Sequence, residues 1–228
     1  MPELKLFFAP GTCARVPLVI MEELGVPYSW QLVRFMKGEH KSPEYKRNNP
    51  KGKVPALLVD GEALTENVAI LLHLNHLFPE AGLLPAPENT LDYHRQVADL
   101  CFCSATLHPL VTRIRMPHFV AGMEDARKVY NAACKAMDEY FQLVEDRLQN
   151  QDWWYDNGWT AMDAYLYWVF WRVEGAKYDV SRYPRYVAHA RRMEQRPSVQ
   201  RTNEVETEAN RQLEAEGLKF VPPELPDE

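Results

Sequence analysis

The sequence predicts an α/β layer followed by an all-α bundle. Three observations predict this order. Short apolar runs alternate with helix-periodic segments between residues 4 and 78. A linker-like stretch, residues 79–90, holds three of the chain's 17 prolines. After residue 90 every apolar-periodic segment has helical spacing. Strands mixed with helices and then helices alone are typical of two differently built parts.

The first part reads as β-α-β-α-β-β-α. Its predicted strands are "LKLFF" (4–8), "YSWQLV" (28–33), "VPALLV" (54–59) and "EAL" (62–64). Asp60-Gly61 between the last two is a strong hairpin signal. Helices are predicted from Cys13 to Leu24, around "SPEYKRN", and over "ENVAILLHLNHLF" with Thr65 as its N-cap.

The second part reads as helices only. The spacing predicts helices over 91–120 with a kink near Pro109, over 123–148, and around 184–195 and 198–213. Thr160 and Asp163 form a capping box before "AYLYWVFWRV", which is apolar on nearly every face and should be the central buried helix. We therefore expect domains at 1–82 and 91–213, a linker at 83–90 and an acidic tail at 214–228.

Composition and charge exclude several classes of protein. Hydrophobic residues make up 46% and charged residues 25% of the 228, as in ordinary globular proteins. The net charge of −6 equals that of residues 204–228 alone, so we expect a solvated acidic end and no basic stripe for nucleic acid. No apolar run is long enough to span a membrane, and "MPELKLFF" lacks the pattern of a secretory signal. We expect a cytoplasmic protein.

The cysteines do not predict a metal site. Cys13, Cys101, Cys103 and Cys134 form no C-x-x-C pair, and the C-x-C at 101–103 has no partners at zinc spacing. In a cytosol these thiols should stay reduced.

Three positions in the first part suggest a binding site. Pro55 either begins a strand at no cost or forms a cis bond with Val54, which would present the Val54 backbone to an extended ligand. Glu66 and Asn67 at a helix entrance either complement the helix dipole or grip the head group of an α-amino acid. Cys13 is either a small buried residue or a thiol whose pKa falls near a helix N-terminus.

Two segments and the all-α second half carry a family resemblance. "KLFFAPGTCARVPLV" and "NNPKGKVPALLVDGEALTENVAI", with the helices that follow, resemble cytosolic glutathione transferases over residues 4–212. A cysteine after a P-G-x turn is most similar to the bacterial beta class. The resemblance implies a thioredoxin-like N-terminal domain, an all-α C-terminal domain, a homodimer, glutathione as co-substrate and a role in detoxification.

The resemblance also implies a set of glutathione-binding residues. Val54 should pair its backbone with the cysteinyl part, and Pro55 should be the cis proline. Glu66 and Asn67 should hold the γ-glutamyl head. The glycyl carboxylate is expected at Lys37, with Lys41 or His40 as alternatives, and Lys53 lies beside the same pocket.

The sulfur chemistry is left open by the same comparison. Many classes have a tyrosine at the end of the first strand, where this chain has Phe7 and Phe8. Sulfur activation should then come from Cys13, from Thr12 or from the helix entrance around residues 12–15. In the second half, His108 falls where beta-like members place a histidine facing the active site.

Four functions remain compatible with these residues. The first is attack of glutathione thiolate on a small apolar electrophile. The second is glutathione-dependent disulfide reduction through Cys13. The third is isomerisation of the maleylacetoacetate type, although that class has Ser-Ser-Cys where this chain has Gly11-Thr12-Cys13. The fourth is a non-catalytic interaction module, against which the Glu66-Asn67 pair argues.

Overall fold

A four-stranded mixed sheet forms the centre of the N-terminal part in the computed structural model. Its strands are β1 (Leu4–Phe8), β2 (Ser29–Leu32), β3 (Ala56–Val59) and β4 (Glu62–Thr65). The spatial order is β2-β1-β3-β4, and only the β1–β2 pair is parallel. All four predicted strands are confirmed. The carboxyl ends of β1, β2 and β4 therefore meet the start of β3 at one edge of the sheet.

The β3–β4 connection is the hairpin that the sequence predicts. Asp60 and Gly61 have φ values of 51° and 87°, so both central residues of the turn occupy the left-handed region. That backbone matches the twist of two antiparallel strands, which is why Asp-Gly is favoured there.

Four helices accompany the sheet: α1 (Arg15–Leu24), α2 (Pro43–Lys46), α3 (Asn67–Leu77) and α10 (Pro197–Ala215). The prediction that Thr65 caps α3 is wrong. Thr65 is the last residue of β4, paired with Ala56, and the N-cap is Glu66 with φ 74° and ψ 126°. The chain thus turns from strand to helix within one residue of positive φ, an uncommon conformation for glutamate.

The last helix, α10, packs against α1. Arg15 is 1% exposed and pairs with the carboxylate of Glu206, which is itself 6% exposed. Arg15 also donates to Asn203 Oδ1 at 2.5 Å, and the Gly11 N–H donates to Glu206 Oε1 at 2.8 Å. The prediction of a solvated acidic end is therefore wrong for Glu206, because this carboxylate is buried and pairs with the buried guanidinium of Arg15.

The remaining helices form the second part: α4 (Thr90–Cys101), α5 (His108–Arg115), α6 (His118–Ala121), α7 (Ala126–Arg147), α8 (Ala161–Glu174) and α9 (Pro184–Glu194). The predicted capping box of α8 is confirmed, with Thr160 and Asp163 exchanging side-chain and backbone bonds. Most residues of α8 are buried. It is the central helix that its apolar sequence predicts.

A π-helical segment, Phe102–Leu107, joins α4 to α5. Pro109 follows at the start of α5. A proline inside a helix lacks the N–H of the regular ladder and its ring crowds the carbonyl four residues back. The wider π turn accommodates both effects. The predicted kink near Pro109 stays a prediction. The single helix predicted over 91–120 is wrong in extent, because α5 ends at Arg115 and α6 is a separate short helix that begins after Pro117.

The structure describes residues 1–225, in two compact units. One unit contains Met1–Leu83 and Gln195–Phe220, and the other contains Leu84–Glu194 and the described residues from Val221 onward. The domain boundaries expected from the sequence stay a prediction, and the tail residues Asp227 and Glu228 lie outside the described part. None of the described helices combines the length and hydrophobicity needed to cross a bilayer.

Candidate functional site

The turn between β1 and α1 holds the first candidate residues. The Thr12 hydroxyl donates to the Ala9 carbonyl at 2.7 Å and accepts from the Ala14 N–H at 3.4 Å. The Arg15 N–H donates to the Thr12 carbonyl at 3.1 Å. Thr12 thus uses its hydroxyl proton inside the turn. Its predicted catalytic role stays a prediction, and its observed contacts are those of a residue that fixes the loop before Cys13.

Cys13 lies two residues before α1, and its thiol is partly buried. Its Sγ donates to the Val54 carbonyl at 3.5 Å. Burial raises the pKa of Cys13 to about 12, and the negative charge of Glu66 adds to the increase, whereas Asn67 and Lys53 oppose it. Of the two interpretations of Cys13, the buried residue is favoured over the thiol of lowered pKa, because removal from water outweighs the positive groups nearby. The Cys13 thiol is neutral at pH 7.

The Val54–Pro55 peptide bond is cis, which confirms the prediction. The backbone just before it is fixed by two side chains, Tyr45 and Asn49, that the sequence did not predict as part of the site. The Tyr45 hydroxyl and the Asn49 amide both donate to the Lys53 carbonyl, at 2.6 and 2.7 Å. Tyr45 and Asn49 are buried, so the segment that carries Val54 is anchored to the interior of the protein through the Lys53 carbonyl. The motif N-x-x-x-K-V-P contains both Asn49 and its acceptor Lys53, whereas Tyr45 lies outside the motif and its contact is evident only in the folded structure.

The entrance of α3 lies against the thiol loop. Asn67 Nδ2 donates to the Cys13 carbonyl at 3.0 Å. Asn67 is 5% exposed, and its Oδ1 is a buried acceptor without a donor among the described residues. Cys13 therefore contacts both Val54 and Asn67 at the sheet edge. Such a buried orphan acceptor is the kind of atom that a bound ligand satisfies.

Glu66 projects from the same entrance and is mostly exposed. Its carboxylate pairs with Lys51 Nζ at 2.7 Å. The same Nζ donates to Thr65 Oγ1 at 2.8 Å. Lys51 was not among the predicted residues, since its turn is distant from Glu66 along the chain.

The predicted basic residues fall into two separate groups. Lys37 Nζ pairs with Glu216 at 3.1 Å, and Arg34 holds the same carboxylate at 2.7 Å. These two bases hold the pKa of Glu216 near 2. Lys37 is thus ion-paired within the protein, and its role toward a ligand stays a prediction.

His40 belongs to the second basic group. Burial lowers its pKa, and so do the charges of Lys41, Lys53 and Lys46. Its ring stacks on Phe35 with centroids 4.3 Å apart, and its Nδ1 is buried without a partner among the described residues. Lys53 acts electrostatically on both His40 and Cys13. Lys53 is therefore close enough to both His40 and Cys13 for its charge to act on them. Among the described residues, Lys37 pairs with Glu216 and has no described contact with Cys13.

His108 is the first residue of α5, in the other unit. Its ring lies edge-on to Trp168 with centroids 4.7 Å apart. Cys101, two turns earlier, is exposed. The predicted catalytic role of His108 stays a prediction.

Comparison with known proteins identifies the family. Models of the glutathione S-transferase N-terminal and C-terminal domains match residues 2–76 and 98–197. Glutathione S-transferase GstA of Escherichia coli O157:H7 is 31% identical over 219 residues, which is 95% of this chain and 100% of that protein. The chain belongs to the glutathione S-transferase family.

Solved structures agree with this assignment. A bacterial beta class glutathione S-transferase from Sphingomonas chungbukensis superposes with a TM-score of 0.77 at 28% identity, over 89% of this chain and 98% of that one. A sphingomonad glutathione S-transferase complexed with glutathione gives 0.77 at 30% identity, over the same shares of the two chains. The predicted thioredoxin-like and all-α architecture is confirmed.

Proposed function

We propose that this protein is a glutathione transferase that binds glutathione at the sheet edge and directs its thiolate at a small electrophile. One observation carries the proposal: Cys13, the Val54 carbonyl and Asn67 meet within hydrogen-bond distance beside the entrance of α3. Relatives that share the fold over nearly their whole length bind glutathione. The site offers a partner for each part of that tripeptide.

The α-amino acid head of glutathione fits the entrance of α3. The first N–H groups of an 11-residue helix have no partner within the helix and favour a carboxylate. The exposed Glu66 carboxylate suits the ammonium, and the orphan Oδ1 of Asn67 accepts a further donor. The Val54 backbone pairs with the cysteinyl part. The group around His40 and Lys53 is the better supported partner for the glycyl carboxylate, since Lys37 already holds Glu216.

The raised pKa of Cys13 decides its chemical role. A neutral thiol is a hydrogen-bond donor. Its proton lies on the Val54 carbonyl in the ligand-free protein, and on glutathione binding Cys13 would donate it to the glutathione thiolate instead, which leaves the Val54 carbonyl to the cysteinyl N–H. Lys53 and the Asn67 amide favour negative charge at this position, as their effect on Cys13 indicates. The thiolate then attacks an electrophilic carbon: the S–C bond forms, and the electron pair leaves with the displaced group or stays on the activated acceptor.

Disulfide reduction through Cys13 is the less favoured alternative. It requires a Cys13 thiolate as nucleophile, and burial disfavours that form. A non-catalytic interaction module that had lost glutathione binding would not need the contacts that Cys13 makes with Val54 and Asn67. Homodimer assembly, a cytoplasmic location and a role in detoxification stay predictions.

Retention on immobilised glutathione tests the binding step. The wild type should be retained and eluted by free glutathione, and a protein that flows through would contradict the proposal. Conjugation of glutathione to 1-chloro-2,4-dinitrobenzene, followed by absorbance, tests the chemistry. Cys13→Ala should lower kcat about tenfold, the effect of one lost donor to a charged group, and shift the pH profile to higher pH.

Cys13→Ser is the matched variant, because it keeps a neutral donor. It should retain more conjugation activity than Cys13→Ala while losing any disulfide reductase activity. Equal conjugation by wild type and Cys13→Ala would remove Cys13 from the proposed mechanism. Disulfide reduction that exceeds conjugation, and that disappears in both variants, would favour the alternative.

A further inference from the structure

Lys51 lies at the glutamyl end of the proposed site, and the family resemblance assigns it no role. Its Nζ lies 2.7 Å from Glu66 Oε1 and 2.8 Å from Thr65 Oγ1. We infer that Lys51 is a substrate-binding residue that recognises the α-carboxylate of the γ-glutamyl group. This inference rests on the proposed function and adds a specificity-determining residue to it.

The backbone of Lys51 is fixed, although its side chain is accessible. The Lys51 N–H donates to Asn49 Oδ1 at 3.1 Å, and the Gly52 N–H donates to the Asn49 carbonyl at 2.9 Å. Asn49 is 1% exposed. The turn therefore rests on a buried residue, whereas the Lys51 side chain is 51% exposed. Because the Lys51 backbone is fixed and its side chain is exposed, the ammonium can reach a ligand without rearrangement of the loop.

Charge complementarity identifies the ligand group. The head of glutathione is a zwitterion, with an ammonium and a carboxylate on the same carbon. Glu66 alone attracts the ammonium but repels the carboxylate beside it. The Lys51–Glu66 pair presents both signs, 2.7 Å apart and both exposed. A zwitterion can lie antiparallel to this pair, so that each of its charges meets the opposite one.

The α3 entrance strengthens this arrangement. A carboxylate bound to Lys51 next to Glu66 is also close to the first N–H groups of α3, because Glu66 is the N-cap of that helix. Two independent positive features then face the α-carboxylate. Lys51 also pairs with Glu66 in the ligand-free protein. The alternative role for Lys51 is therefore to compete with the ligand ammonium for the Glu66 carboxylate. The two possibilities differ in sign, since a competitor would weaken binding and its removal would tighten it.

Calorimetric titration of Lys51→Met distinguishes them. Three ligands are used: glutathione, the analogue without the α-carboxylate (γ-aminobutyryl-Cys-Gly), and the analogue without the α-amine (glutaryl-Cys-Gly). Lys51→Met should weaken glutathione and the glutaryl analogue about fivefold, the upper range for one exposed ion pair, and should leave the decarboxylated analogue unchanged. Lys51→Arg should restore most of the loss.

Lys128→Ala is the matched control. Lys128 pairs with Asp125 at 2.7 Å on the surface of the other unit, so this variant removes an equivalent charge and an equivalent exposed pair. It should bind all three ligands like the wild type. Glu66→Gln should show the opposite pattern to Lys51→Met, with loss for glutathione and not for the glutaryl analogue.

The outcomes separate this inference from the proposed function. Equal losses for all three ligands in Lys51→Met, no loss, or tighter glutathione binding would each overturn the role of Lys51 while glutathione binding by the wild type stood. Failure of the wild type to bind glutathione would overturn both. Thermal unfolding of each variant confirms that the fold is unchanged.

Discussion

Removal of the Glu206 carboxylate should destabilise the unit that holds the thiol loop. In Glu206→Ala, Arg15 keeps its charge in a site where its side chain is 2% exposed. The Gly11 N–H loses its acceptor at the same time. Breaking a buried ion pair by removing one partner costs about 3–5 kcal/mol. The lost acceptor for Gly11 falls within that range, because the two bonds share one carboxylate and their costs are not additive.

Native-state hydrogen exchange measures this loss where it occurs. The opening free energy of α1 amides should fall by the amount given, and urea unfolding followed by circular dichroism should show the same direction. Glu208→Ala is the matched control, since Glu208 lies on the same helix and pairs with Arg211 on the surface. That variant should leave α1 exchange unchanged. Arg15→Met combined with Glu206→Leu should recover part of the stability, because no unpaired charge remains buried.

Two results would refute this reasoning. If Glu206→Ala lost no more stability than Glu208→Ala, the pair would not be desolvated as its burial indicates. If the double variant were less stable than Glu206→Ala, the hydrogen bonds rather than the buried charge would dominate.

Burial at Cys13 and crowding at Gly52 give three more outcomes. At pH 8, iodoacetamide should alkylate Cys13 roughly fiftyfold more slowly than a free thiol, because the raised pKa reduces the thiolate fraction and the greater basicity of the remaining thiolate recovers only part of the rate; peptide mass spectrometry compares Cys13 with the exposed Cys101, and equal rates would contradict it. Relative to Cys13→Ala, the wild type should lose unfolding free energy between pH 9 and 12, where the unfolded thiol ionises before the folded one; a difference constant with pH in urea titrations would count against it. Gly52→Ala should cost about 1–3 kcal/mol, because its Cβ would lie 2.8 Å from the His40 carbonyl oxygen, and Gly61→Ala, with open space, should cost less in thermal unfolding; equal costs would sink the steric argument.

Local signals in the sequence were sufficient for most of the secondary structure. The Asp60-Gly61 hairpin and the capping box at Thr160 depend on residues within a few positions, so their geometry follows from the sequence itself. The sequence predicts Thr65 as the N-cap of α3, one residue before the observed N-cap Glu66. Thr65 instead belongs to β4, where it pairs with Ala56. Sheet pairing overrode the capping preference of a threonine.

Long-range contacts account for what the sequence did not predict. Lys51 reaches Glu66 only because the turn before β3 lies next to the end of β4. The pKa of Cys13 depends on how much water the fold removes from its thiol, and no spacing of residues reports that quantity. A helix N-terminus close in sequence favours a lower pKa, whereas burial in the folded unit gives a higher one.

The pairing of Arg15 with Glu206 spans 191 residues of chain. During synthesis, Arg15 leaves the ribosome long before its counter-ion has been translated. The nascent N-terminal unit must therefore keep a guanidinium solvated, or wait in a partly open state, until the last helix arrives to cover it. A segment cut out as residues 1–83 would remain permanently in that unfinished state, and we expect it to need a chaperone or to aggregate.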